Sequence, residues 1–416
     1  MVNRRSFLNL SGAAGLSLLG TRLAFGQAKG PAAPARPRAL VVVVQRGALD
    51  GLSAVVPYAE PAYYDARPNL AIAPPGKGDE SALKLDARFG LHPALAALKP
   101  LFDGGKLAVV HAAGSPDPTR SHFDAQDYVE SGTPGVKATA DGWLNRALAA
   151  RAAGGGAPLR AVALQPSMPR ILFGPVPAVA FASMGEFRLK GKAAESDAAA
   201  RSFAEMYDEA VDRSLRETAG GAFEASKRLQ ALRAGAEGPA NGAAYPATPL
   251  GRRLREVAQL LRADVGLEVA VTDCGGWDTH AGQGNARGQL ATRLRDFGNS
   301  LAAFATDLGE RLGEVCLISA TEFGRTVREN GTGGTDHGHG SVMFVLGGGV
   351  RGRKVYARWG KGLDAANLHE GRDLPATTDH RDVFAEALRA QFKLGSVAAV
   401  FPGYEPKPER RLGLFG

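Results

Sequence analysis

The chain has 416 residues, with 50 Lys and Arg against 42 Asp and Glu, 44% hydrophobic residues and 22% charged ones. That composition belongs to a globular protein with a core of its own, and it excludes a collagen-like chain, a disordered tail and a polytopic membrane protein. Two cysteines in the whole sequence exclude a disulfide scaffold and a Cys-rich zinc module.

The first 26 residues hold Arg4, Arg5 and Arg22 and no acid, so the remainder carries 47 basic residues against 42 acidic ones, a net +5. The Arg4-Arg5 pair is followed by Ser6, Phe7 and Leu8, a Gly/Ala/Leu stretch, and the small residues Ala24 and Gly26. This order is similar to a twin-arginine signal peptide, so residues 1–26 are expected to be a leader read by the twin-arginine translocase, and the protein periplasmic or otherwise exported. Asn9, Ser11, Ser17 and Arg22 break the stretch short of the ~20 apolar residues a membrane span needs, and no later segment is apolar for long enough. No Lys/Arg block is interleaved with aromatics, so no nucleic-acid partner is expected.

After a Pro/Ala linker at 27–37, the run ALVVVVQ at 39–45 is continuously apolar and β-branched. Such runs are strands buried on both faces of a parallel sheet. Further strands are expected at 107–112, 159–164 and 178–181, the first of them preceded by the helix-like HPALAALKPLF. Residues 184–263 are rich in Ala, Arg and Glu and read as a helical insertion or cap. Strand LEVAVT at 267–272 leads to a long helix whose apolar residues Leu290, Leu294, Phe297, Leu301, Phe304, Leu308 and Leu312 recur every three or four positions. Gly313 is expected to end that helix before strand VCLISA at 315–320. Two parallel strands joined this way leave their C-terminal loops on one edge of the sheet, which is where open α/β folds bind ligands.

The residues leaving those edges are chemically selective. Arg46 and Asp50 follow the first strand; Arg120, Ser121, His122, Asp124 and Asp127 follow the second; Asp273, Asp278 and His280 follow 267–272; Glu322 and Arg325 follow 315–320. The stretch NGTGGTDHGHG then supplies Asp336, His337 and His339. Imidazoles mixed with carboxylates, without cysteine, suit zinc, manganese or magnesium, and Gly333, Gly334, Gly338 and Gly340 let the backbone fold tightly around such an ion. His111 reads as a strand residue and His92 as a helix-start residue, with His380 an outlying candidate ligand. Cys274 and Cys316 read as small buried apolar residues. No G-x-G-x-x-G opens a helix after the first strand, so a dinucleotide-dependent oxidoreductase is not supported.

The segments RSHFDAQDY, GGWDTH, TEFGRT and GTDHG, in this order behind a twin-arginine-like leader, resemble the bacterial family DUF1501, which is grouped with the alkaline phosphatase and sulfatase superfamily. The resemblance covers about residues 38–400. It implies an α/β fold with an alkaline-phosphatase-like, mostly parallel sheet flanked by helices on both faces, and two divalent metals at the strand ends. Carried over by order, it implies Asp50, Asp278, His280, Glu322, Asp336, His337 and His339 as the metal-binding set. Ser121 becomes the candidate nucleophile, and Arg120 and Arg325 become partners for an anion. Pro116 stands where a sulfatase has its modified Cys or Ser, which argues against a formylglycine enzyme. The implied activity is an exported metal-dependent hydrolase of phosphate or related anionic esters. The alternative is a non-catalytic periplasmic binding or assembly protein that keeps the fold and a structural metal. Ser121 itself reads equally as a helix N-cap.

Overall fold

The computed structural model describes residues 36–416 apart from 77, 152–156, 186–224, 226, 233–237 and 405. The leader, nearly all of the linker and most of the expected helical insertion therefore lie outside the described residues.

The core is built on the apolar runs. Among the described residues the main sheet has nine strands: β1 (Ala39–Arg46), β2 (Leu107–Gly114), β3 (Ala161–Leu164), β4 (Val179–Phe181), β5 (Val269–Gly275), β6 (Val315–Thr321), β7 (Ser341–Gly347), β8 (Lys354–Ala357) and β9 (Thr378–Asp379). Their order is β8-β2-β7-β6-β1-β5-β3-β4, with β9 added beside β2. All neighbours pair in parallel except β7, which is antiparallel to both β2 and β6. The expected mostly parallel sheet is thus present. The strands β5 and β6 of the expected βαβ unit are parallel but not adjacent, because β1 lies between them with Val42 opposite both Val271 and Ile318.

Strand β1 explains why the run ALVVVVQ needs no polar face. Val41 and Val43 belong to one buried core and Leu40, Val42 and Val44 to the other, so successive side chains serve opposite faces of the sheet. On the first face lie α3 (Pro249–Arg262) and α4 (Gln289–Leu308), the latter burying Leu290, Leu294, Phe297, Leu301, Phe304 and Leu308. On the second lie α2 (Trp143–Ala150) and α5 (His380–Phe392), where Trp143 stacks on Phe384 with ring centroids 4.5 Å apart. Helices therefore cover both faces, as expected. The long helix stops earlier than Gly313: Gly309 takes φ +53 as its C-cap, and Gly309–Glu314 continues as a 3-10 turn that carries Leu312. Glycine meets that positive φ without the strain a Cβ would add.

A further helix, α1 (His122–Ser131), follows β2 and delivers its N-terminus to the C-terminal edge of the sheet. The loops after β1, β2, β5 and β6 emerge on that same edge. The antiparallel direction of β7 brings the edge a fifth segment: its N-terminal end lies there, so the residues just before it, Asp336 to Gly340, arrive at the rim. No helix among the described residues is long and apolar enough to cross a membrane.

Candidate metal centre

Four side chains meet at this rim. His122 is the first residue of α1, Asp278 and His280 follow β5, and His337 precedes β7. The Nε2 atoms of His280 and His337 lie 3.0 and 3.2 Å from Asp278 Oδ1 and 3.0 Å from each other, while His122 Nε2 is 3.6 Å from Asp278 Oδ2. One ligand atom from each of His122, Asp278 and His337 can be chosen so that all lie within 4.8 Å of one another.

Each ring is held by its other nitrogen. His337 Nδ1 is 2.9 Å from the Arg120 carbonyl, which only accepts, so Nδ1 carries the proton. His122 Nδ1 lies 2.8 Å from Glu322 Oε1, and His280 Nδ1 lies 3.0 Å from Asp336 Oδ1. Burial alone would raise the pKa of Glu322, but hydrogen bonds from His122, Gln126 and Gly47 outweigh it and keep the group ionised. The hydrogen bond from His280 likewise lowers that of Asp336. Both carboxylates therefore accept, and in all three imidazoles Nε2 is the position left to offer a lone pair. This is the arrangement in which carboxylates and carbonyls orient metal-binding histidines.

Two observations test whether a divalent ion fits. His122 Nε2 is buried and has no hydrogen-bond partner. His280 Nε2 and His337 Nε2, 3.0 Å apart, require a proton or a cation between them, since two facing lone pairs repel. Donor atoms that share one tetrahedral ion at about 2.0–2.1 Å lie roughly 3.3 Å apart, close to the separations seen here. The residues present fit a cation of the zinc type.

The surrounding charges differ for each ring. The Glu322 hydrogen bond pushes the His122 pKa up, whereas burial pulls that of His337 down. Asp278, which burial alone would raise, is held below the usual carboxylate range by the Arg325 guanidinium and the neighbouring imidazoles. Phe323 packs against both His122 and His337 at 5.0 Å and forms a small apolar cluster with Ala48 and Ala125 under the rim. On the open side Asp278 and His280 each keep 44% of their side-chain surface exposed, so the cluster is accessible to a ligand.

Glycines permit this convergence at two close approaches. At Gly47, with φ +114, a Cβ would come 2.9 Å from the Asp278 amide nitrogen; at Gly338 one would come 2.4 Å from the Arg325 carbonyl.

The structure divides the residues singled out in the sequence. Asp278, His280 and His337 come together as expected. His122, noticed among the loop residues but not chosen as a ligand, joins them. Glu322 and Asp336 sit behind the cluster and orient His122 and His280. Asp50 lies elsewhere: it is fully buried, pairs with Arg67 Nη1 at 2.7 Å and accepts from Ser53 Oγ and Gln283 Nε2. His339 turns away, with Nε2 2.9 Å from the Ser115 carbonyl and its ring 4.5 Å from that of His369.

Arg325 is buried and hydrogen-bonded to the carbonyls of Ala48, Thr335, Gly47 and Trp277 as well as to the Asp278 carboxylate. Arg120 is committed to Asp373 and Glu370, both at 2.6 Å. Ser121 is the N-cap of α1, its hydroxyl accepting from the Asp124 amide at 3.5 Å. His111 and His92 are the structural residues expected: His111 is buried in β2, and His92 caps a 3-10 helix at Pro93–Leu98. His380 is buried at the start of α5. Cys274 and Cys316 are free thiols, Cys316 buried and Cys274 half-buried. The signal that could have marked His122 is its spacing: Gln126, one helical turn later, donates to the same Glu322 oxygen at 3.0 Å.

The fold and site define a mixed α/β protein with an imidazole-rich centre at the carboxyl edge of a mostly parallel sheet. The chain belongs to the family described as protein of unknown function DUF1501, whose model matches residues 108–401. No curated protein matches it. Among solved structures it is similar to a sulfatase from Pseudoalteromonas sp., at 12% identity and a TM-score of 0.33, covering 86% of this chain and 68% of that one.

Proposed function

We propose that this protein is an exported, metal-dependent hydrolase of phosphate or related anionic esters. One observation carries the metal: three imidazoles, each fixed through Nδ1, present Nε2 to a single carboxylate, Asp278. A divalent ion held there would supply Lewis acidity toward an ester oxygen and acidify a water beside it. The protein's own groups do the rest. Arg325 fixes the Asp278 carboxylate, Glu322 and Asp336 hold protons on the imidazoles behind it, and Phe323 keeps water from the inner side. The first turn of α1, whose backbone N–H groups face this rim, favours an anion. In this reading the attacking group is water, and Ser121 serves as the N-cap of α1, its hydroxyl oxygen accepting from the Asp124 amide at 3.5 Å. Export rests on the Arg4-Arg5 leader.

The test is metal content of the purified protein together with turnover on phosphomonoesters, phosphodiesters and sulfate esters. Bound metal with turnover that disappears in His337→Ala supports the reading. The second reading, a periplasmic binding or assembly protein, is favoured by a separate observation: Arg120 is paired with Asp373 and Glu370, and the Ser121 hydroxyl caps the Asp124 amide. Bound metal without turnover on any ester selects it.

A further inference from the structure

We infer that this centre takes one ion, not two, and that the fixed Arg325 guanidinium stands as the permanent second positive charge beside Asp278. The inference rests on the metal-centre reading above and concerns its stoichiometry and ion class.

A second ion needs carboxylates that are free to bind it, and among the described residues of the rim most carboxylate oxygens already accept from protein donors. Asp50 is neutralised by Arg67 within the buried interior, and both its oxygens accept from protein donors. Glu322 Oε1 takes three donors, the Gly47 amide at 2.7 Å, His122 Nδ1 at 2.8 Å and Gln126 Nε2 at 3.0 Å, while Oε2 takes the Thr321 hydroxyl at 3.0 Å. Asp336 Oδ1 is shared by His280 and Asn330, both at 3.0 Å. Asp373 is fully buried and answers Arg120 and Arg372. Asp278 presents its carboxylate to the Nε2 side of the imidazoles, while Asp336, also exposed, accepts from His280 Nδ1 and Asn330 through Oδ1.

Charge points the same way. All three nitrogens of the Arg325 guanidinium are hydrogen-bonded and its side chain has no exposed surface, so it cannot swing away. A second cation beside Asp278 would meet that charge at close range in a partly desolvated site, where repulsion is weakly screened. Ions in two-metal sites stand about 3.5–4 Å apart and share bridging oxygens. Here the donor atoms of His280, His337 and Asp278 lie within 3.0–3.2 Å of one another, which is the size of one coordination sphere. The group whose donor atoms all lie within 4.8 Å of one another, His122, His337 and Asp278, also bears on the ion: two imidazoles with one carboxylate suit zinc or cobalt, whereas magnesium and calcium require oxygen ligands.

The experiment uses the whole mature chain, stripped with chelator and titrated with cobalt(II) and with zinc(II), following calorimetry and the visible cobalt spectrum. One equivalent with an intense, low-symmetry cobalt band is expected. His122→Ala and His337→Ala should each weaken binding by at least about 100-fold, while Asp50→Asn should still take one equivalent and magnesium should not displace cobalt. Two equivalents in the wild-type chain, or loss of an equivalent in Asp50→Asn, overturns the single-ion inference and leaves a metal-dependent hydrolase standing. No binding of either ion overturns both.

Discussion

Glu322 and His122, 200 positions apart in sequence, meet through a 2.8 Å contact between Oε1 and Nδ1 at the point where β6 ends and α1 begins. The contact fixes the ring so that Nε2 faces the Asp278 carboxylate. Glu322→Gln replaces an acceptor that carries charge with a neutral amide. Metal affinity is expected to fall 10–100-fold, the usual effect of removing an orienting carboxylate, with the fold retained. Competition against a chelator of known affinity measures this, and an unchanged affinity would show that Glu322 does not orient the ring.

Asp50 serves the interior. Its partner Arg67 is fully buried and also donates to the carbonyls of Val327 and Thr326. Asp50→Ala leaves that guanidinium without its counter-charge, a change that costs about 3–5 kcal/mol in buried pairs. The expected result is a clearly lowered Tm at unaltered metal stoichiometry. Loss of the ion from a variant that keeps its wild-type Tm would instead place Asp50 in the metal centre.

Acid should destabilise the fold over a defined window. Burial pushes the pKa values of His92, His111 and His380 down to about 4 in each case, from an ordinary value near 6.5. These rings stay neutral when folded, while the unfolded chain takes up protons between those values. Their contribution is therefore complete above about pH 6.5 and is lost as pH falls toward 4, each pKa unit being worth roughly 1.4 kcal/mol. Urea midpoints measured with chelator present, which removes the linkage to metal, should drop steeply across that interval. A flat profile from pH 7 to 4 would contradict the neutral, buried assignment of these residues.

Ser121→Ala separates the cap from the nucleophile. Loss of the side-chain bond to the Asp124 amide should cost about 1 kcal/mol of stability, as for other N-caps. Metal affinity and ester hydrolysis should persist. Complete loss of turnover with metal still bound would assign the attack to the Ser121 hydroxyl and displace water from that role.

The sequence alone determined the parallel strands at the heart of the sheet and the rim where their loops leave. A β-branched run such as ALVVVVQ is stable only between two apolar layers, and the apolar period of residues 290–308 can face only one of them, so the strands and the long helix are dictated locally. The same reasoning placed Asp278, His280 and Glu322 at one edge, because parallel strands joined through helices must release their C-terminal loops on the same side. What it did not determine is which polar group faces which. Asp50 and Asp278 both follow strands, yet one is captured by Arg67 and the other by Arg325 and three imidazoles. That choice depends on side chains far apart in the chain, and on β7 running against its neighbours so that His337 returns to the rim. A charge inside a protein takes the nearest partner that compensates its desolvation, and only the tertiary structure decides which partner is nearest.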